Sequence, residues 1–201
     1  MNISAVSRNA TTGVALIAVL AATRVGHLGG IATPPDASLA VFFLLGLWLE
    51  SPRWLVISLL TAATSDAVAI AQGASSYCIT PAYPFLIPTY SALWGAGWVT
   101  RVYAGLRSAW LRGLALSAAL FTGVTVAFVL ANASFYTLSG YFQAMPAAEF
   151  VRGVTQYFRP FLITTAVYVV IAIVCRRIFL SLAARRLGSA AANPQLSDPG
   201  A

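Results

Sequence analysis

Six apolar runs dominate the chain, and most of its charges lie between them or at their ends. The runs cover residues 12–28, 37–50, 54–71, 83–99, 113–131 and 160–180. A membrane-crossing helix needs about 20 predominantly apolar residues, with a usual range of about 17–25. Five of the runs meet or approach that length. The second, Ala37–Leu49, gives only about 20 Å of helix at about 1.5 Å per residue. Asp36 as N-cap and Glu50 in a last turn would extend it, and Pro34-Pro35 and Ser51-Pro52-Arg53 bound it as clear breaks. We read it as a span.

Composition agrees with a lipid-covered chain. Of 201 residues, 59% are hydrophobic and 8% are charged, against about 25% charged in a soluble domain. So few charges cannot cover a water-soluble globule of this size. The net charge of +7 does not point to nucleic acid. All twelve basic residues are Arg, and most of them stand beside the apolar runs rather than in one patch.

The arginines orient the bundle. Six spans put Arg8, Arg53, Arg101, Arg107, Arg112, Arg176, Arg177, Arg185 and Arg186 on one side, and Arg24, Arg152 and Arg159 on the other. This bias predicts that both termini are cytoplasmic. Dropping the short second span would move Arg101, Arg107 and Arg112 opposite the C-terminal cluster and weaken the bias. The expected fold is an all-α membrane protein, a six-transmembrane-helix bundle. It forms one domain over residues 1–187, with a disordered tail at 188–201 that is small, polar and Pro-containing. Ala21-Ala22 could mimic a signal-peptide cleavage site; we read the first run as a retained helix.

Three segments then face outward: Gly26–Asp36, Gln72–Ala82 and Asn132–Arg159. In the third, Ala148, Val151, Val154, Tyr157 and Phe158 recur at roughly helical spacing, so Ala144–Phe158 reads as an interfacial helix or a lid.

The residues able to carry chemistry gather near the outer face. Cys78 lies in the uncharged second segment, whereas Cys175 is near the cytoplasmic end of the last run, so the two cannot pair. A lone outward thiol is either a small apolar packing residue or a soft metal ligand or nucleophile. His27, the only histidine, ends the first run and either meets water or faces the same cavity. Asp66 stands inside the third run, where an ionisable group is a functional hypothesis by default. Arg24 is its expected ion-pair partner, and structural pairing and ligand contact are both open. Tyr77, Tyr83, Phe85 and Tyr90 flank Cys78 as either an interfacial belt or a site lining. Pro81, Pro84 and Pro88 suggest irregular backbone, which is tolerated at membrane depth where it lines a cavity or is buried in protein. Arg152 and Arg159 read as cavity caps or as interfacial anchors. Ala18, Ala22 and Gly26 lie four apart on one face of the first run, a pattern that lets another helix approach closely.

Six short helices in about 200 residues resemble the substrate-binding S-component of energy-coupling-factor (ECF) transporters. More narrowly, HLGG…PPDASLAVFFLLG (residues 27–46) and SSYCITPAYPFLIPTYSALWGAGW (residues 75–98) resemble the BtuM-type cobalamin transporters of Gram-negative bacteria. The resemblance implies vitamin B12 (cobalamin) uptake across the bacterial inner membrane, with Cys78 ligating the cobalt of the corrin and His27 near the ligand. It also implies a partner-helix contact at Ala18 and Ala22. The coupling partner would be an ECF module of a transmembrane T-component and ATPases, or none if the protein is solitary. The candidate ligand-contacting residues are then Cys78, His27, Asp66, Tyr77, Tyr83, Phe85, Tyr90 and Arg152. A thiolate on cobalt also invites removal of cyanide from cyanocobalamin. Two alternatives stay open: an S-component for another vitamin or a metal ion, and a small intramembrane thiol enzyme built on Cys78, His27 and Asp66.

Overall fold

The computed structural model describes the backbone of residues 3–27, 35–49 and 51–192, and side chains over residues 9–24, 35–49, 51–103 and 105–184. Within these residues the chain is all-helical: α1 (Ile3–His27), α2 (Ser38–Trp48), α3 (Arg53–Ala71), α4 (Leu86–Thr100), α5 (Ala109–Leu138) and α6 (Ala147–Ala192). Short 3₁₀ turns, Tyr83–Phe85 and Arg101–Gly105, flank α4. Among the described residues three helices, α3, α5 and α6, are long and apolar enough to cross a membrane. Their outward faces carry uncovered Val56 and Leu60, Phe121 and Val129, and Val170 and Ile171. Apolar surface on this scale needs a covering other than water.

Local chemistry explains most boundaries. Asp36 Oδ1 accepts the Ser38 backbone N–H at 2.9 Å and the Ser38 hydroxyl at 2.6 Å, which starts α2. The N-cap position itself falls on Ala37, one residue later than expected, and Glu50 lies outside the described residues. Pro52 occupies the N-cap of α3 at φ −64°, the angle its ring prefers. At the other end of α3, Gly73 N–H donates to Ile70 C=O (2.9 Å) and Ala74 N–H to Ala69 C=O (3.0 Å). This is a Schellman ending, and Gly73 at φ 97° supplies the left-handed residue it requires. Ser108 caps α5 by accepting the Leu111 N–H.

Two stretches differ from the expectation. Residues 144–158 are not a separate interfacial helix or lid, because α6 begins at Ala147 and runs on unbroken through Pro160. Pro160 removes one helical hydrogen bond, to the Gln156 carbonyl, without ending the helix. The connection from α5 is only residues 139–146, turned by Gly140 at φ 82°. Residues 188–192 of the expected tail are also helical, and the remainder of it, 193–201, lies outside the described residues. At 46 residues and about 1.5 Å each, α6 is about 69 Å long, more than twice the roughly 30 Å hydrocarbon core.

The shortest helix is the centre of the bundle. α2 touches each of the other five helices, and eight of its eleven residues are buried. About 16 Å of helix is shorter than about 30 Å of hydrocarbon, but protein surrounds α2 along its length, so it need not match the bilayer by itself. An apolar sequence on all faces is what such a position demands. α4 presses on α2 through reciprocal glycines. A Cβ on Gly46 would stand 1.9 Å from the Trp94 carbonyl oxygen, and one on Gly97 would stand 2.0 Å from the Phe43 carbonyl oxygen. Opposite, Gly13 of α1 leaves room for the Trp54 ring of α3.

A cavity at one end of the bundle reveals the helix directions. Its wall includes Arg24 near the end of α1, Asp36 before α2, Asp66 late in α3, Tyr90 early in α4, Phe135 late in α5 and Phe161 in the first half of α6. C-terminal and N-terminal portions therefore alternate around it, and consecutive helices run in opposite directions. The start of α1 and the end of α6 lead away at the other end. There Arg176 lies over the Trp48 ring (4.8 Å), and Arg53 over Trp54 (5.7 Å).

The glycine contact makes a testable demand. Gly46→Ala and Gly97→Ala should each destabilise the detergent-solubilised protein by about 1–3 kcal/mol, the usual cost of overpacking. Gly95→Ala, which meets open space, should be nearly neutral. Thermal unfolding of the three variants checks this; equal losses at all three positions would sink the close-packing account.

Candidate functional site

Cys78 reaches the cavity because of the turn that Gly73 launches. Ser75 Oγ accepts the Tyr77 N–H (3.2 Å), and the Ile79 N–H closes a β-turn on the Ser76 carbonyl (2.8 Å). Tyr77 and Cys78 are the two central residues of that turn. Thr80 then takes over: its hydroxyl accepts the Ala82 N–H (3.2 Å) and its carbonyl accepts the Tyr83 N–H (2.8 Å). The result is an ordered, proline-punctuated segment with Cys78 as a free, exposed thiol on the cavity wall.

The cavity encloses about 420 Å³, within the roughly 300–1,000 Å³ usual for small-molecule sites. Its walls are mostly apolar, with Leu39, Ile70, Leu86, Phe128 and Phe135 among them. Its polarity is concentrated where α1, α2, α3 and α4 meet. Arg24 Nε and Nη2 donate to the two oxygens of Asp66, both at 2.7 Å. Arg24 Nη1 donates to Ser38 Oγ (2.9 Å) and Tyr90 Oη (2.7 Å), and lies 3.6 Å from Asp36 Oδ2. Tyr83 donates its hydroxyl to Asp66 Oδ2 at 2.7 Å. Arg24 and Asp66 are each 7% exposed. A guanidinium buried so far needs a fork-matched anion and further acceptors, and it has both. Tyr90 is fixed from its other side by stacking on Phe42, with centroids 4.2 Å apart.

The expected site residues divide clearly. Cys78, Asp66, Tyr77, Tyr83 and Tyr90 share the cavity wall. Arg24 pairs with Asp66 as expected, so structural pairing and cavity lining coincide in one residue. Phe85 is not on that wall: it ends the 3₁₀ turn and is 41% exposed, two residues round from the inward Tyr83. Arg152 is not on it either. It is exposed on α6 two positions past the buried Phe150, which puts it on the opposite arc of the helix. His27 is the last residue of α1, and its side chain lies outside the described residues. Ala18 and Ala22 lie on the exposed arc of α1, while Leu16 and Leu20 face the core. Cys175 is exposed beside Arg176, at the far end from the cavity.

Sequence reasoning missed the α5–α6 wall. Phe128, Ala131, Asn132 and Phe135 line the cavity, as does Phe161 of α6. The available signal was Asn132, a polar residue following a long apolar run; its amide donates to the Phe128 carbonyl at 2.8 Å. Asp36 was expected only as a cap and is also a lining residue.

The geometry limits the chemistry. Asp66 is engaged by Arg24 and Tyr83 rather than by a thiol, so it is not poised to activate Cys78 as a nucleophile. Among the described residues no group of three His, Cys, Asp or Glu side chains could hold a bare metal ion. What the arrangement offers is one soft sulfur on the wall of an apolar cavity with an ion-paired polar floor. No protein-family model and no curated protein sequence matches the chain.

Removing one member of the buried pair strands the other. Arg24→Met should cost about 3–5 kcal/mol, and Arg24→Met combined with Asp66→Leu should recover much of that loss. Thermal unfolding in detergent reads the cycle. A double variant as unstable as the sum of the single changes would show that the two residues act independently.

Proposed function

We propose that the protein takes up cobalamin across the bacterial inner membrane, seating the corrin at the mouth of the cavity with Cys78 sulfur bound to cobalt. The observation that carries this reading is the free, exposed Cys78 thiol at the tip of an ordered turn on the wall of an apolar cavity. Soft thiolate suits a transition metal, and a single sulfur suffices when the macrocycle already supplies the equatorial ligands. The cavity is smaller than a whole corrinoid, so part of the ring edge enters it and the remainder stays at the mouth.

The topology in this reading is six spans with both termini cytoplasmic. The supports are the alternating helix directions and the arginine bias of nine against three counted from the sequence. Arg176 over Trp48 and Arg53 over Trp54 suit the cytoplasmic interface, where amphipathic rings and basic side chains gather. Ala18 and Ala22 offer a coupling protein a close helix approach. Uptake runs with such an ECF module, or alone if the protein is solitary.

Ligation would proceed by exchange at cobalt(III). The Cys78 thiol would give up its proton to solvent as its sulfur lone pair forms the cobalt–sulfur bond, the nucleotide base would leave the metal with its own lone pair, and the metal would keep its oxidation state. Electron donation from sulfur weakens the bond on the opposite face, so cyanide departs there with its electron pair. Cyanocobalamin is thereby decyanated without an external reductant.

The test is the absorption spectrum of protein purified after growth with cobalamin. A stoichiometric corrinoid with a spectrum unlike free cyanocobalamin is expected. Cys78→Ala should lose that spectrum, and Cys175→Ala should keep it. Absence of bound corrinoid, or tight binding of a metal-free heterocycle unaffected by Cys78→Ala, would overturn the reading.

A further inference from the structure

The rim of the cavity carries a cluster of aromatic rings separate from the polar floor. Tyr77, next to Cys78, stacks on Tyr141 with ring centroids 4.5 Å apart and planes 7° apart. Phe135 meets Tyr77 edge-on at 5.6 Å and lies 6.0 Å from Tyr141. The three rings come from three separate pieces of chain: the Cys78 turn, the end of α5 and the connection after Gly140. Behind them Phe142, Phe150 and Tyr136 continue the cluster, with Phe142 and Phe150 4.8 Å apart. That inner part anchors the connection, because Tyr136 also donates its hydroxyl to the Met145 carbonyl at 2.8 Å. The outer pair is different. Tyr77 is 48% exposed and Tyr141 is 51% exposed, so about half of each residue stays open.

What such a surface accepts follows from its chemistry. It is built of uncharged aromatic rings, so it favours another flat ring and reads little of that ring's hydrogen-bonding edge. If Cys78 binds cobalt, the site also generates a ligand of this kind. The nucleotide base displaced from the metal is flat and heteroaromatic, and its tether keeps it near the cobalt and therefore near Cys78. Tyr77 is the chain neighbour of that cysteine. We propose that Tyr77, Tyr141 and Phe135 form a stacking subsite for the displaced heteroaromatic base of a cobalt-bound corrinoid. The inference rests on the corrinoid reading above and adds to it a second anchor, one that uses a part of the ligand other than the metal. It also assigns Tyr141 a role in ligand contact that no sequence motif marks.

Comparing cobalamin with cobinamide, which lacks the nucleotide base, tests the subsite on the full-length protein in detergent. Tyr141→Ala should raise the cobalamin dissociation rate about tenfold, the scale of one lost ring stack. The same variant should leave cobinamide release unchanged. Tyr141→Phe, which keeps the ring, should behave like the unaltered protein with both ligands. Equal effects on the two corrinoids, or no effect on either, would overturn the subsite while leaving cobalt ligation standing. Failure of the unaltered protein to bind any corrinoid would overturn the transport reading and this inference together.

Discussion

A guanidinium sealed inside an apolar bundle is the constraint around which the cavity end is organised. Arg24 cannot shed its charge, so its surroundings must neutralise it and occupy its donors. Asp66 does the first with two parallel hydrogen bonds, and Ser38 and Tyr90 contribute to the second. Those partners come from α3, α2 and α4. Satisfying one side chain thus fixes the relative position of four helices at the level where the cavity opens. Tyr83 adds the segment bearing Cys78 to the same cluster through its bond to Asp66. The thiol is therefore held between two attachments, a polar one to the bundle floor and an aromatic one at Tyr77 to the α5 side.

The opposite requirement, closeness without polarity, governs the contact of α2 with α4. Gly46 and Gly97 remove side chains where the two backbones meet, and the carbonyls of Trp94 and Phe43 fill the space. This explains how an eleven-residue helix can occupy the middle of a membrane-type bundle. Association of helices in lipid relies on packing rather than on hydrophobic burial, and small residues are what permit it. A short central helix also leaves room above its N-terminus. The cavity lies there, with Asp36 and Leu39 on its wall.

Much of this was legible from the sequence, for identifiable reasons. Apolar periodicity is strong when a run lacks charges for several turns, so all six helices were foreseen. The pairing of Arg24 with Asp66 was foreseen because each is an isolated charge in its run and an unpaired one would be costly. Cys78 was grouped with Asp66, Tyr77, Tyr83 and Tyr90 as candidate site residues, and all five line one cavity. What stayed hidden depended on ends and on facing. Residues 144–158 carry a helical pattern, but pattern alone does not say whether a helix stops before Pro160 or continues through it. Phe85 and Arg152 were grouped with the site by proximity and charge, and only the helix phase shows that they point elsewhere. The α5–α6 wall went unnoticed because Phe128 and Ala131 look like any lipid-facing residues in an apolar run, and Phe135 falls in what reads as a connecting segment. Tyr141 was invisible for a related reason: its partner Tyr77 is 64 positions away, and nothing local marks the stack.

The bond proposed between the Cys78 sulfur and cobalt can be observed directly. X-ray absorption at the cobalt edge, measured on the purified protein loaded with cobalamin, reads the metal's nearest neighbours directly. One sulfur scatterer in the first coordination shell, present in the unaltered protein and absent in Cys78→Ser, is the result expected. A first shell made only of nitrogen, oxygen and carbon in the unaltered protein would contradict it.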